Sequence, residues 1–395
     1  MKRLVVSSVG IVLFFCVFLG TGYSAPKELV VGGNFPLSGP AATLGIAAQR
    51  AMDHAAEVIN QKGFTVGGEP YVVKMELFDS KYVPAESLSN LEKLLAQGIK
   101  FMMSTGALTS VPLVEKTTQA KVLQMTVASG STHLTSPKYP LSFRAAFCDE
   151  AAFALYPWLA RDYKQIKSSA LLDPSDETGF VEAETRARVA KNVGFKVVSN
   201  EFFKRGATDY YPMATKLVAA KPDLIDLGGT AGRDQALAIK ALRELGYKGL
   251  IVASYVDPTA LAEIAGKDAA EGVILNNSLT EPTNPRAREV ADWYMKKYGD
   301  KAPGVFYDQY DNLFMLIEAV KKANSVDPVK VAEALRTVRM QSVFGEMYVD
   351  LEAVYGLKCN FCRPVPMGIM KNGKATHLFN AAWPGDAEIA KLNAK

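Results

Sequence analysis

Apolar residues in this chain fall into short runs of four to eight positions, and between the runs they recur at helical spacing. Glu28-Leu-Val-Val-Gly-Gly-Asn34 predicts a strand, and the segment from about Gly45 to Gln61 predicts a helix. Tyr71 to Asp79 predicts the next strand, and Pro84 opens a helix closed by Gly98. Phe101-Met-Met-Ser104 predicts a short buried strand, with a helix from about Ser110 and another strand over 121–127. After a break the alternation restarts. Leu141-Ser-Phe-Arg144 leads into a predicted helix over 150–161, and strands are expected at 167–172, 196–201, 222–227 and 250–253. Helices are expected at 178–194, 211–220 and 235–245. Asp257-Pro258 starts another, with Asp as N-cap and Pro at the first helical position. A long helix over 308–322, a further one through Val331 to Leu335, and strands near 347–349 and 366–370 complete the pattern. Strands that alternate with helices imply parallel sheet built from βαβ units. Two α/β halves therefore lie in tandem, the second beginning near residue 145.

The first 24 residues have a different pattern. Lys2 and Arg3 precede an apolar run from Leu4 to Leu19, and small residues occupy positions 22 and 24. This is the make-up of a secretory leader, cut after Ser24 so that the mature chain starts at Ala25. The run is shorter than the roughly 20 residues a membrane crossing needs. Bulky Phe15 before Cys16 is unsuited to a lipid-attachment site.

About 370 mature residues suit two lobes better than one core. Hydrophobic residues at 49% and charged ones at 22% describe a globular chain. Without Lys2 and Arg3 there are 43 basic and 41 acidic residues, a net of +2, and no basic run marks a nucleic-acid surface.

Residues that could carry catalysis are sparse. His54, His133 and His377 have no metal-ligand spacing with one another, and no metal or cofactor is expected. His54 is expected to be solvated or locally paired. No nucleophile elbow, phosphate loop or zinc-protease motif occurs. Cys359-Asn-Phe-Cys362 is followed by two prolines, which favour an extended segment over the helix start of a redox motif. A structural disulfide or two free thiols is the expectation. Small polar residues instead gather where strands turn into helices: Ser38-Gly39-Pro40, Thr105-Gly106-Ala107, Ser129-Gly130-Ser131, Thr178-Gly179 and Thr230-Ala231. In open α/β sheets ligands bind beyond the carboxyl ends of strands, so a cleft shared by two lobes is expected there.

Leu37-Ser-Gly-Pro-Ala41 with Gly45, Asp79 followed by Pro84, Ser129 to Thr135, and Asp257-Pro-Thr with Ala265-Gly266 and Ala270-Glu-Gly272 form an ordered set. From about residue 28 to 375 the chain resembles the type I periplasmic solute-binding proteins of the branched-chain amino acid class, which serve ABC importers. The resemblance implies two Rossmann-like lobes with parallel sheets, joined by a three-strand hinge. The crossings would fall near Arg144, Asn277 and Asp350, dividing the chain into 25–146 plus 278–349 and 147–277 plus 350–395. It further implies a periplasmic, monomeric, non-enzymatic protein that hands a small carboxylate, either a branched-chain or hydrophobic amino acid or a related organic or aromatic acid, to a membrane permease. Carried over by position, the first-lobe carboxylate clamp falls on Ala107, Ser129 and Ser131. Leu44 stands where leucine-type binders carry an aromatic side chain. In the second lobe Thr178 stands where a tyrosine is typical, and Thr230 or Ala231 fills another contact. The acidic partner of the substrate's ammonium aligns with Tyr255, and Asp257, two positions on, is expected to cap its helix. A buried ammonium without a carboxylate partner is costly, so this departure points to an acid without an α-amine. Two other readings are a secreted α/β hydrolase and a sensory ligand-binding subunit.

Overall fold

A computed structural model describes residues 25–39, 41–128, 133–146, 149–228, 232–278 and 281–394. The expected leader and its cleavage position lie outside these residues. The strands are β1 (Lys27–Phe35), β2 (Phe64–Val66), β3 (Glu69–Asp79), β4 (Phe101–Thr105), β5 (Leu123–Val127) and β6 (Ser142–Ala146) in the first half. The second half supplies β7 (Ser168–Pro174), β8 (Lys196–Phe203), β9 (Leu224–Leu227), β10 (Leu250–Ser254) and β11 (Ile274–Asn276). The tail adds β12 (Arg339–Ser342), β13 (Gly345–Asp350), β14 (Asn360–Cys362), β15 (Val365–Lys371) and β16 (Lys374–Ala381).

Among the described residues these strands form two sheets. One runs β12-β13-β14-β6-β5-β4-β1-β3-β2, the other β16-β15-β11-β10-β9-β7-β8. The strands from β3 through β1, β4, β5 and β6 to β14 pair in parallel, as do β8, β7, β9, β10 and β11. Antiparallel pairs close the edges. Every residue of β4, β5 and β9 is buried, as expected of parallel strands covered on both faces. The α/β class, the two parallel-dominated sheets and their tandem order agree with the sequence pattern.

Helices cover both sheets. Ala42–Asn60 lies against Gly304–Ala323 in the first lobe. Its approach to the preceding turn is close: a Cβ on Gly45 would sit 2.0 Å from the Pro36 carbonyl oxygen. The helix expected from about Ser110 is three pieces, Ala107–Ser110, a 3₁₀ turn Val111–Leu113 and Val114–Gln119. Pro112 removes a backbone donor and breaks the regular helix. The long helix starts at Gly304, one turn earlier than its hydrophobic pattern suggests. Asp308, Gln309, Asp311 and Asn312 are fully buried within it and mask its apolar face.

The chain leaves the first sheet after β6, returns after β11, and passes again to the second sheet between Cys362 and Val365. Fully buried Arg144 ties the first passage to the third. Its backbone N–H donates to the Cys359 carbonyl at 2.8 Å, its Nε to Asn360 Oδ1 at 2.9 Å and its Nη2 to the Tyr355 hydroxyl at 3.0 Å, while Glu150 pairs with its charge. Arg363, equally buried, occupies the third passage.

Candidate functional site

The carboxyl ends of β1, β3, β4 and β5 are held by polar bonds. Asp79 closes β3 and accepts from the backbone of Leu37 at 2.9 Å, Ser38 at 3.2 Å and Lys81 at 2.8 Å, and from Ser38 Oγ at 2.6 Å. Desolvation opposes its charge, but these donors outweigh it and hold the carboxyl below its ordinary range. The turn beyond it takes left-handed backbone at Lys81 (φ 50°) and Tyr82 (φ 60°). At the end of β4, Ser104 Oγ and Thr126 Oγ1 lie 2.8 Å apart, and Gln309 Nε2 donates to Thr105 Oγ1 at 2.9 Å. The long helix is thereby bound to the strand end from which the Gly106 turn departs.

Tyr82 is the side chain that sequence reasoning missed. It lies inside the Asp79-to-Pro84 stretch that carries part of the family resemblance. Its ring rests on Gly106, where a Cβ would meet Cε2 at 2.6 Å. From there it approaches Thr178, Arg205 and Asp176 of the second lobe. Burial raises its phenol above the ordinary value, with Arg205 opposing. His133 crosses at a neighbouring point, with Nδ1 3.3 Å from Glu177 Oε1.

In the second lobe Asp176 caps Glu177–Asn192 through the Gly179 N–H, leaving Thr178 in the first turn. Gln235 Nε2 donates to Leu227 O, Gly228 O and Ser254 O, which binds the ends of β9 and β10 together. Beneath them Arg186 pairs with Asp173 and, at 3.1 Å, with Asp226, and the Tyr156 hydroxyl donates to Asp226 at 2.8 Å. Burial pushes the Asp173 carboxyl up to about 8 despite Arg186.

Tyr255 follows β10 with left-handed backbone (φ 58°). Its N–H donates to Asn276 O at 2.9 Å and its hydroxyl to Asp308 Oδ2 at 2.5 Å. Asp308 Oδ1 receives Arg363 Nη2 at 2.8 Å and Nε at 3.2 Å. The Arg363 guanidinium lies 3.4 Å from the centre of the Phe344 ring. A residue from each lobe and one from the passage between them thus meet at a single carboxylate.

A family model described as periplasmic binding protein matches residues 28–353. The chain belongs to that family. The leucine-, isoleucine-, valine-, threonine- and alanine-binding protein of Pseudomonas aeruginosa is 24% identical over 80% of this chain and 84% of its own length. The fold resembles that of a leucine binding protein from Thermotoga maritima, with a TM-score of 0.75 at 21% identity over 90% of this chain and 99% of the other. It likewise resembles a solute binding protein of an ABC transporter from Rhodopseudomonas palustris BisB5, solved with 3,4-dihydroxybenzoic acid, with a TM-score of 0.76 at 20% identity over 90% and 98%. These relatives and neighbours are solute-binding proteins, not enzymes.

Within this periplasmic binding protein the expected site residues fall into three groups. Ala107 is buried at the start of its helical turn, Thr178 is buried opposite it, and Leu44 is half-buried against the first-lobe core. Tyr255 faces Asp308. Asp257 is exposed and caps its helix through the N–H groups of Thr259 at 2.8 Å and Ala260 at 3.4 Å, as its position before Pro258 suggested. Ser129, Ser131, Thr230 and Ala231 lie outside the described residues.

Cys359 and Cys362 are buried free thiols. Burial pushes Cys359 up to about 11 and Cys362 well above its ordinary value, which suppresses thiolate chemistry. His54 is not solvated. It is buried, its ring centre stacked 3.4 Å from that of Trp293, its Nδ1 lies 4.0 Å from Glu57, and burial pushes it down to about 4. The alanine-rich face of its helix is narrow, and the sequence alone does not show that Trp293 covers it. Among the described residues no cluster of His, Cys, Asp or Glu is arranged to hold a metal, and no helix is long and apolar enough to cross a membrane.

Proposed function

We propose that this periplasmic binding protein captures a small carboxylic acid without an α-amine between its lobes and delivers it to the permease of an ABC importer. In this reading Ala107, Ser129 and Ser131 clamp the carboxylate. Leu44, Thr178, Thr230, Ala231 and Tyr255 contact the rest of the ligand, and a hinge near Arg144, Asn277 and the segment from Asp350 lets the lobes close. The observation that carries it is the set of contacts around Tyr255. Its hydroxyl is bonded to Asp308, and the charge of Asp308 is balanced by Arg363. An ammonium placed there would enter the protein without an unbalanced counter-charge. The dihydroxybenzoic acid in the Rhodopseudomonas palustris neighbour is an acid of this class.

Calorimetry on the mature protein should compare leucine with 4-methyl-2-oxopentanoate and with benzoate. Binding of the acids in preference to leucine supports the proposal. Micromolar binding of leucine that disappears in Asp257→Asn would overturn it and make Asp257 an ammonium partner. Small-angle scattering should show a smaller radius of gyration with saturating acid. N-terminal sequencing of exported protein should begin at Ala25.

A further inference from the structure

Tyr255 holds a left-handed backbone (φ 58°) that bulky side chains rarely adopt, so the turn Ser254–Val256 persists only because its surroundings over-determine it. Three buried side chains and one backbone carbonyl do so. On one side Gln235, in the first turn of the helix Gly232–Glu244, donates through Nε2 to Ser254 O at 2.8 Å, Gly228 O at 3.0 Å and Leu227 O at 3.2 Å. Carbonyl oxygens only accept, so the amide nitrogen must face them. The end of β10 is thereby clasped to the end of β9. On the other side Ser254 lies opposite Asn276 in the parallel pair of β10 and β11, and Asn276 Nδ2 donates to Ser254 Oγ at 2.9 Å. The Tyr255 N–H donates to Asn276 O at 2.9 Å. The Val256 N–H donates to Ser278 Oγ at 3.0 Å, and Ser278 Oγ donates in turn to Asn276 O at 3.2 Å. Ser278 follows Asn277, where the backbone is again left-handed (φ 52°) and the chain leaves the second sheet for the first. One hydrogen-bonded path therefore runs from the helix through the strained turn to an interlobe passage.

We propose that Gln235 and Ser278 are positioning residues for ligand capture, both acting through the turn Ser254–Val256. Gln235 fixes where the turn presents Tyr255, and Ser278 ties the same turn to the passage about which the lobes move. Neither has to touch the ligand. Releasing either side lets the backbone of Tyr255 relax towards an unstrained conformation, which carries its side chain away from the cleft position. The proposal rests on the reading of an interlobe acid site to which Tyr255 contributes, and adds how that contact is held and how it is coupled to closure.

The test is calorimetry on the full mature protein with benzoate, 4-methyl-2-oxopentanoate and leucine, at a temperature where every variant is folded by circular dichroism. The compound that binds the wild-type protein most tightly serves as the probe. Gln235→Met removes the amide donor at similar side-chain length, and Ser278→Ala removes the link to the passage. Each should weaken the probe about five- to thirtyfold. Because both act through one turn, the double variant should lose clearly less than the product of the two single losses. Leu242→Ala opens a cavity in the buried apolar face of the same helix, away from its first turn. It should lower the melting temperature at least as far as Gln235→Met and leave affinity within about twofold. If Gln235→Met does not fold, Ser254→Ala cuts the path at its centre and keeps the Ser254 carbonyl for Gln235. It should show the same loss, and the same shortfall when combined with Ser278→Ala. Unchanged affinity in the single variants, losses that multiply, or an equal loss in Leu242→Ala overturns the proposal and leaves the acid-binding reading standing. If leucine is the tightest binder, the acid-binding reading falls alone and the variants are judged with leucine. Binding of none of the three overturns both.

Discussion

The ring of Tyr82 occupies the space where Gly106 would carry a side chain, with Cε2 2.6 Å from the Cβ position. Gly106 also has φ of +91°, a conformation that L side chains rarely adopt. Gly106→Ala should therefore cost about 1–3 kcal/mol from backbone strain and overpacking. It should also displace Tyr82 from Thr178. Calorimetric melting and acid affinity measure the two effects. Unchanged affinity would show that Tyr82 takes no part in the interlobe site.

Asp257 separates a capping role from a ligand role. Both of its observed bonds go to the first N–H groups of its own helix. Asp257→Ala should lower stability by about 0.5–2 kcal/mol, the usual worth of a cap. Acid affinity should stay within about twofold, since the Asp257 carboxylate is occupied by the N–H groups of its own helix. A large loss of affinity with intact stability would assign Asp257 to the ligand.

Asp173 predicts a pH dependence with a definite sign. Its folded value is raised to about 8 from an ordinary 3.8, burial being the main cause. The folded chain therefore holds a proton that the unfolded chain has released. The stabilisation from this group is complete below its unfolded value and is lost as pH rises towards about 8. Asp173→Asn carries the equivalent of that proton at every pH, so the fall in stability between acid and neutral pH should flatten. Arg186→Met, which strands Asp226, should cost about 3–5 kcal/mol. Denaturant titrations across pH distinguish these outcomes; a wild-type curve that rises through this window in parallel with Asp173→Asn would refute the assignment.

The two buried thiols should be inert. In a Cys148→Ser background, a thiol reagent in mildly alkaline buffer should modify neither Cys359 nor Cys362 until denaturant is added. Replacing both by Ser should lower the melting temperature modestly and leave acid affinity within a few-fold. Rapid labelling of the native protein, or collapse of binding, would restore a redox or metal role to the pair.

Local chemistry was legible in the chain itself. The alternation of short apolar runs with helical spacing specifies βαβ units, and Asp257-Pro258 announces a helix start because a side-chain acceptor and a ring-fixed φ act within three residues. The strand ends where a ligand could sit were readable for the same reason. Other elements were not. β14 has three residues, too few for a period, and exists through pairing with β6 and β13. The helix Pro285–Tyr298 buries only Ala287, Val290 and Tyr294, so its apolar stripe is thin. Only the tertiary structure decided what Tyr255 faces. Position alone made it a neutral replacement for an acid. The fold brings Asp308 to it from 53 residues away and Arg363 to Asp308 from 55. Periodicity records which face of an element is buried; it does not record which distant side chain meets it there.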